Sequence, residues 1–390
     1  MNTPTKPRIK SLDLLKGLVI VIMALDHVRD YFHYSSHFID ATDPQETNAA
    51  LFFSRFITHF CAPIFSFLAG VSAWIVGRRL SKSQLSAFLV KRGIWLIFVE
   101  LVIVNFAWYF NPAFKEIAFV VIWILGFSMI TLAALIHLPA GAILAFSCLL
   151  IFGHNLLDGI QVDNKVLWGF LHHRGVIMTT EDHVIRVGYP IIPWIAVMSL
   201  GYWFGKFFDP AYDPASRKKW FNRIGLASLL LFLVIRGTNI YGDPNPWTVQ
   251  DTPLQTIFSF LNIQKYPPSL SYLLVTLGGA LLFLANFETV KGKMVEFFSV
   301  FGRVPFFFYI IHLYFIHLLG LVTAWVTGFG WEKMILDTLP FRDKDLEGFG
   351  YDLPMVYLIW FFVIAALYLL CKRFDKYKSA HKEKWWLSYF

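Results

Sequence analysis

The chain has 390 residues, of which 57% are hydrophobic, 18% aromatic and only 15% charged, where a soluble domain of this length would carry about 25% charged residues. A formal charge of +8 does not point to nucleic acid, because the basic residues form short clusters between apolar runs, as in membrane loops. Cys61, Cys148 and Cys371 each lie in or at the end of an apolar run, which fits packing residues and neither a disulfide framework nor a metal site.

A membrane-spanning helix needs about 20 mostly apolar residues. Such runs are predicted at 12–31, 50–76, 87–110, 117–136, 139–156, 184–208, 220–240, 268–287, 301–325 and 353–370. The first follows a basic segment and lacks a small-residue cleavage site, so it reads as a retained span. Lys and Arg alternate with the loops: Arg78, Arg79, Lys91 and Arg92, then Lys206 and Arg217 to Arg223, then Lys291, Lys293 and Arg303, then the tail from Lys372. The intervening loops are acidic, with Asp40, Asp43 and Glu46 after the first run and Glu332 to Asp352 before the last. The expected architecture is therefore all-α: a polytopic membrane protein of about ten transmembrane helices, both termini cytoplasmic, built as one domain over 1–390.

Charged residues inside a span cost roughly 2.5–3.5 kcal/mol each, so they usually face a cavity or a partner. The first run ends in Asp26, His27, Arg29, Asp30 and His33, five titratable side chains within eight residues. At 100° per residue Asp26, Arg29, Asp30 and His33 share a face, with His27 beside Asp30 at i,i+3. An imidazole oriented by a carboxylate suits a general base; the bland alternative is an ion-paired helix end. His59 in the second run lies at a depth that matches His27, so His27, Asp30 and His59 are the candidate catalytic set. Glu100 sits in the third run and His312 in the ninth, where His312 and His317 point about 140° apart. Lys265 and Tyr266 precede the Pro267-Pro268 pair, which by itself reads as a helix start. Asp26, Arg29, His33, Glu100, Lys265, Tyr266 and His312 are thus expected to bind substrate. No Gly-rich phosphate loop, H-E-x-x-H or calcium loop is present in the sequence, and no metal is expected.

Several stretches together resemble the heparan-α-glucosaminide N-acetyltransferase family, in wording closest to its bacterial membrane branch. They are residues 8–17 (RIKSLDLLKG), 25–30 (LDHVRD), 58–70 (THFCAPIFSFLAG), 265–269 (KYPPS) and 302–312 (GRVPFFFYIIH). The resemblance implies a multi-span acyltransferase that takes acetyl-CoA, or another acyl-CoA, from the cytosolic side and acylates an amino sugar on the far side. It places the family's catalytic histidine nearest His37, with His33 close by. It also puts His27 where the lysosomal members carry Asn, and His59 where they carry Asp.

The resulting expectation is an enzyme of the bacterial inner membrane that moves an acyl group to a hydroxyl or amine, with a sugar as one candidate acceptor. His27 oriented by Asp30 would be the base, with His33 or His37 as alternatives. Arg78, Arg79 and Arg303 are candidates to bind the CoA phosphates, although taken by themselves they are better explained as anchors of topology. The partners expected are membrane lipid, a small-molecule or glycan acceptor and at most a second copy of the chain, with no nucleic acid. The alternative from another class is a proton-coupled secondary transporter in which Glu100, Asp26 and the histidines relay protons.

Overall fold

The computed structural model describes residues 10–37 and 39–389; Lys6, Arg8 and the side chain of His37 lie outside the described residues. The described chain is mostly helical. It begins with α1 (Lys10–Phe32), α2 (Ala49–Ile57), α3 (Cys61–Gly77) and α4 (Lys82–Val99). A π-turn at Glu100–Val104 carries α4 into α5 (Asn105–Tyr109). Strand β1 (Glu116–Phe119) precedes α6 (Val121–Leu135), α7 (Ala140–Gly153) and α8 (Lys165–Leu171). Strands β2 (Gly175–Thr179) and β3 (Val184–Val187) lead to α9 (Trp194–Phe204) and α10 (Pro214–Thr238). The rest is α11 (Pro253–Leu261), α12 (Leu270–Asn286), α13 (Lys293–Arg303), α14 (Pro305–Val326) and α15 (Leu353–Ala380).

Five helical stretches among the described residues are long and apolar enough to cross a membrane by themselves: Ala49–Gly77, Ala140–Leu157, Pro214–Thr238, Pro305–Val326 and Leu353–Ala380. Their outward faces are apolar, with Leu226, Leu230, Leu233 and Val234 exposed on α10 and Leu358, Phe361, Phe362 and Leu369 exposed on α15. Such ridges are stable only against lipid. The chain is an integral membrane protein.

Helix α1 fails that criterion for a physical reason. It carries Asp13, Lys16, Asp26, Arg29 and Asp30 and is buried along nearly its whole length, packed by α3, α13, α14 and α15. A helix enclosed by protein need not be apolar throughout. It is the axle of the molecule.

Reciprocal glycines bring the helices together. A Cβ on Gly17 would lie 1.7 Å from the Phe298 carbonyl oxygen, and one on Gly302 would lie 1.8 Å from that of Asp13, so α1 and α13 cross backbone on backbone. Gly70 and Gly201 do the same for α3 and α9, each 2.0 Å from a facing carbonyl oxygen. Small residues at such crossings let dispersion hold helices together where lipid offers no hydrophobic drive.

Three segments differ from the sequence reading. Residues 184–193 are β3 and a turn rather than the start of a span, and the helix begins only at Trp194. The two prolines there lie before the helix, since Pro190 and Pro193 cannot donate the amides that a helix interior needs. Residues 117–119 likewise belong to β1. In the third segment, Pro267 and Pro268 precede α12, whose first turn is capped instead by the Ser269 hydroxyl. The strands form a small sheet in the order β1-β3-β2, with β1 parallel and β2 antiparallel to β3. With the 327–352 loop this sheet caps the C-terminal end of α1. The Tyr351 amide donates to the Phe32 carbonyl at 2.7 Å, and the Thr338 hydroxyl donates to Glu116 at 2.8 Å.

Candidate active site

The end of α1 opens into a cavity of about 340 Å³ beneath the cap. Asp26, His27, Arg29, Asp30 and His33 all line it. Helix α2 reaches it from the side. Asn48 caps that helix by accepting from the Leu51 amide at 3.0 Å, which leaves Arg55 and Thr58 facing α1.

Asp26 is the electrostatic centre. Its carboxylate takes Arg55 at 2.5 Å, Arg29 at 2.9 Å and Lys265 at 3.6 Å. Asp30 takes the other contact of Arg29, at 3.0 Å. Asp30 therefore bonds Arg29 and is not bonded to His27. The partner of His27 comes from the opposite end of the chain: His27 Nδ1 lies 2.7 Å from His312 Nε2, with the rings nearly coplanar at 16°. His312 Nδ1 lies 3.0 Å from the Phe308 carbonyl oxygen.

This chain of bonds assigns the tautomers. A carbonyl only accepts, so His312 Nδ1 carries the proton and, in the neutral ring, Nε2 is the acceptor. His27 must then donate from Nδ1, which leaves a lone pair on its Nε2. That nitrogen has no partner among the described residues, and the ring lies edge-on to Trp108 at 5.0 Å. A fixed imidazole with a free lone pair in a cavity can accept a proton from a bound hydroxyl or amine.

The remaining predicted residues divide. Lys265 and Tyr266 line the cavity, and the Tyr266 hydroxyl meets that of Tyr189 at 3.3 Å. His33 lines it with Nδ1 2.8 Å from the Ser35 hydroxyl. His312 stands behind His27, fully buried. His59 lies beside the cavity, not in its lining, packed between Phe56 and Tyr272. Glu100 is also outside the lining. Its Oε2 accepts from the Ile122 and Trp123 amides at 2.7 and 2.9 Å, so it caps the start of α6, the place where a helix favours negative charge. Arg78, Arg79 and Arg303 lie at the other end of the helices. Arg78 meets Asp209 at 3.1 Å, Arg303 bridges Glu296 and Asp375 at 2.8 Å each, and Arg79 is exposed. Among the described residues no group of three His, Cys, Asp or Glu could hold a metal ion.

The lining residues that went unpredicted include Arg174, before β2, and Arg342, in the cap loop; as single arginines in polar loops they carry no periodic signal.

The family sequence model described as heparan-alpha-glucosaminide N-acetyltransferase, catalytic, matches residues 8–238, more than half of the chain. The chain belongs to this family. No curated protein matches it. The part matched to the acetyltransferase family supplies Asp26, His27, Asp30, Arg55 and Arg174. Lys265, Tyr266 and Arg342, and the His312 partner of His27, come from beyond it, so the C-terminal third completes the cavity and its surroundings.

Proposed function

We propose that the protein is a transmembrane acyltransferase that moves an acyl group, most simply acetyl, from acyl-CoA to a hydroxyl or amine held in the α1 cavity on the outer face of a bacterial inner membrane. The observation that carries this reading is the His312–His27 pair, which leaves His27 Nε2 as an acceptor over the cavity in a chain of an acetyltransferase family.

His27 Nε2 removes the acceptor proton as the acceptor heteroatom attacks the thioester carbon. The carbon–sulfur bond then breaks and the thiolate leaves, taking the proton back from His27. His312 is a positioning residue that fixes the tautomer. Asp30, through Arg29, and His33 shape the acceptor side with Asp26, Lys265 and Tyr266; His59 supports the wall behind them. Arg78, Arg79 and Arg303 are the groups proposed to meet the CoA phosphates. Arg79 has the freest side chain of the three, since it is exposed and has no carboxylate partner among the described residues. From Cys61 to Arg78 the helix rises about 25 Å, a distance that the pantetheine arm of a donor bound from the cytoplasm has to bridge. About ten spans with both termini inside, forming one domain, fit this arrangement and the alternation of basic and acidic loops.

The test is reconstitution in proteoliposomes with labelled acetyl-CoA. His27→Ala should abolish thioester hydrolysis and label transfer. If CoA does not bind, and a proton gradient drives uptake of a small solute instead, the acyltransfer reading is wrong.

A further inference from the structure

The cavity holds more positive charge than its own acids can neutralise. Arg29, Arg55, Arg174, Arg186, Lys265 and Arg342 line it, against the carboxylates of Asp26, Asp30 and Asp40. Four of the six cations are accounted for. Arg29, Arg55 and Lys265 converge on Asp26, with Asp30 also on Arg29. Arg186 is held by Glu116 at 2.9 Å across the β1–β3 pair. Arg174 and Arg342 have no ion pair and no side-chain hydrogen bond among the described residues. Asp40 answers neither, because it is exposed and turned onto the Thr42 amide and hydroxyl.

Both unpaired arginines are held in place. The Arg174 guanidinium lies 4.5 Å over the Tyr266 ring, a contact that fixes its plane and leaves its edge donors free. The Arg342 guanidinium lies 5.6 Å from the Phe341 ring. Each is half-buried. Burial, the largest cause, lowers both below the ordinary range; Arg55 and Arg186 add to it at Arg174 against Tyr266 and Tyr189, and Arg186 and Arg174 add to it at Arg342 against Glu116 and Tyr109. Arginine does not shed its proton in proteins, so two half-buried like charges without an ion-pair partner remain, and an anion from outside would offset them.

We propose that Arg174 and Arg342 form an oxyanion subsite on the cap side of the cavity, and that the acceptor carries the carboxylate or phosphate group that fills it. The inference rests on the acyltransfer reading, in which the molecule sharing the cavity with His27 is the acceptor. A planar fork of N–H donors matches both oxyanions bidentately. Seating the charged end of the acceptor under the cap turns its other end towards His27, so these arginines select for anionic acceptors and set their direction.

The test uses the full chain in lipid nanodiscs and isothermal titration with inorganic phosphate, acetate and CoA. Phosphate and acetate should bind. Arg174→Gln and Arg342→Gln should each weaken that binding about tenfold, as loss of a hydrogen-bonded charge implies, while Lys291→Gln, on a distant loop, changes nothing. If Arg174→Gln does not fold, Arg174→Lys and Arg342→Gln carry the comparison, since lysine keeps the charge and loses the fork. Phosphate and acetate binding that is absent, or indifferent to both arginines, overturns the subsite. CoA affinity that falls in the same variants assigns the arginines to the donor phosphates and overturns the acceptor assignment. Acetyl-CoA hydrolysis by the wild type, measured in parallel, separates the two ideas. Hydrolysis without oxyanion binding sinks the subsite alone, whereas oxyanion binding without CoA binding or hydrolysis sinks the acyltransfer reading and leaves the arginine site standing.

Discussion

Replacing His312 by Leu tests the catalytic geometry without touching the cavity lining. Leucine fills the buried space but leaves His27 Nδ1–H without its acceptor at 2.7 Å. The imidazole is then free to rotate and to exchange tautomers, and Nε2 no longer carries its lone pair towards the acceptor by default. A positioned general base contributes about 10²–10⁴-fold, and inverting the tautomer of such an imidazole forfeits most of that. We expect kcat to fall about 10²-fold or more, equivalent to about 2.7 kcal/mol, with KM for acyl-CoA unchanged. His312→Gln is the rescue, because its amide oxygen can accept from His27 Nδ1–H, and it should recover most of the loss. Stability should drop by about 1–3 kcal/mol in the Leu variant through the unpaired donor. Turnover of labelled acetyl-CoA, read against thermal unfolding, separates the two effects. Wild-type kcat in a folded His312→Leu protein would refute the positioning role, and with it the tautomer assigned to His27.

Further outcomes follow from the same contacts. Asp26→Ala leaves Arg29, Arg55 and Lys265 facing one another, so thermal unfolding in lipid should show a loss of about 3–5 kcal/mol, as when a buried ion pair loses one member; an unchanged midpoint would mean that water already screens the three cations. Glu100→Gln keeps an oxygen for the Ile122 and Trp123 amides and should leave turnover near wild type, whereas Glu100→Leu should lower stability; a large kcat loss in Glu100→Gln would return Glu100 to the chemistry. Gly302→Ala places a methyl 1.8 Å from the Asp13 carbonyl oxygen, so α1 and α13 must separate, at a cost of about 1–3 kcal/mol or more, read as a lowered unfolding midpoint. For the ten-span arrangement, an impermeant thiol reagent on intact cells should label a cysteine placed at Asp343 and spare one at Lys218; external labelling at Lys218 would rule that arrangement out.

The apolar runs and the polar end of α1 were legible in the sequence because both depend on local spacing. Asp26, Arg29, Asp30 and His33 share a cavity since 100° per residue puts them on one face. Lys265 and Tyr266 were found because charge and aromaticity beside a Pro-Pro pair stand out in an apolar chain. Orientation of His27 by Asp30 was the natural local inference, but Asp30 is taken by Arg29, and the actual partner lies 285 positions away. No periodicity can report a contact between α1 and α14. Glu100 looked like a cavity acid because the sequence does not show that a helix begins nearby in space, where two amides need an acceptor. Residues 184–193 read as the beginning of a span because a strand rich in Val and Ile has the hydropathy of a short helix; the prolines were the warning.

The enclosure of α1 also orders the birth of the protein. Helix α1, made before its partners, carries Lys16, Asp26, His27 and Arg29, and those partners emerge one after another: Arg55, then Ser72, which accepts from Lys16 at 2.9 Å, then Lys265, Phe298 opposite Gly17, and His312. Until the ribosome has passed α14, this segment is only partly enclosed, and each charge left without its partner costs roughly 2.5–3.5 kcal/mol in hydrocarbon. The nascent chain must therefore shelter α1 at the insertion machinery or hold it loosely at the bilayer edge. The candidate site, begun in α1, is complete only when α14 and the 327–352 loop arrive to enclose it.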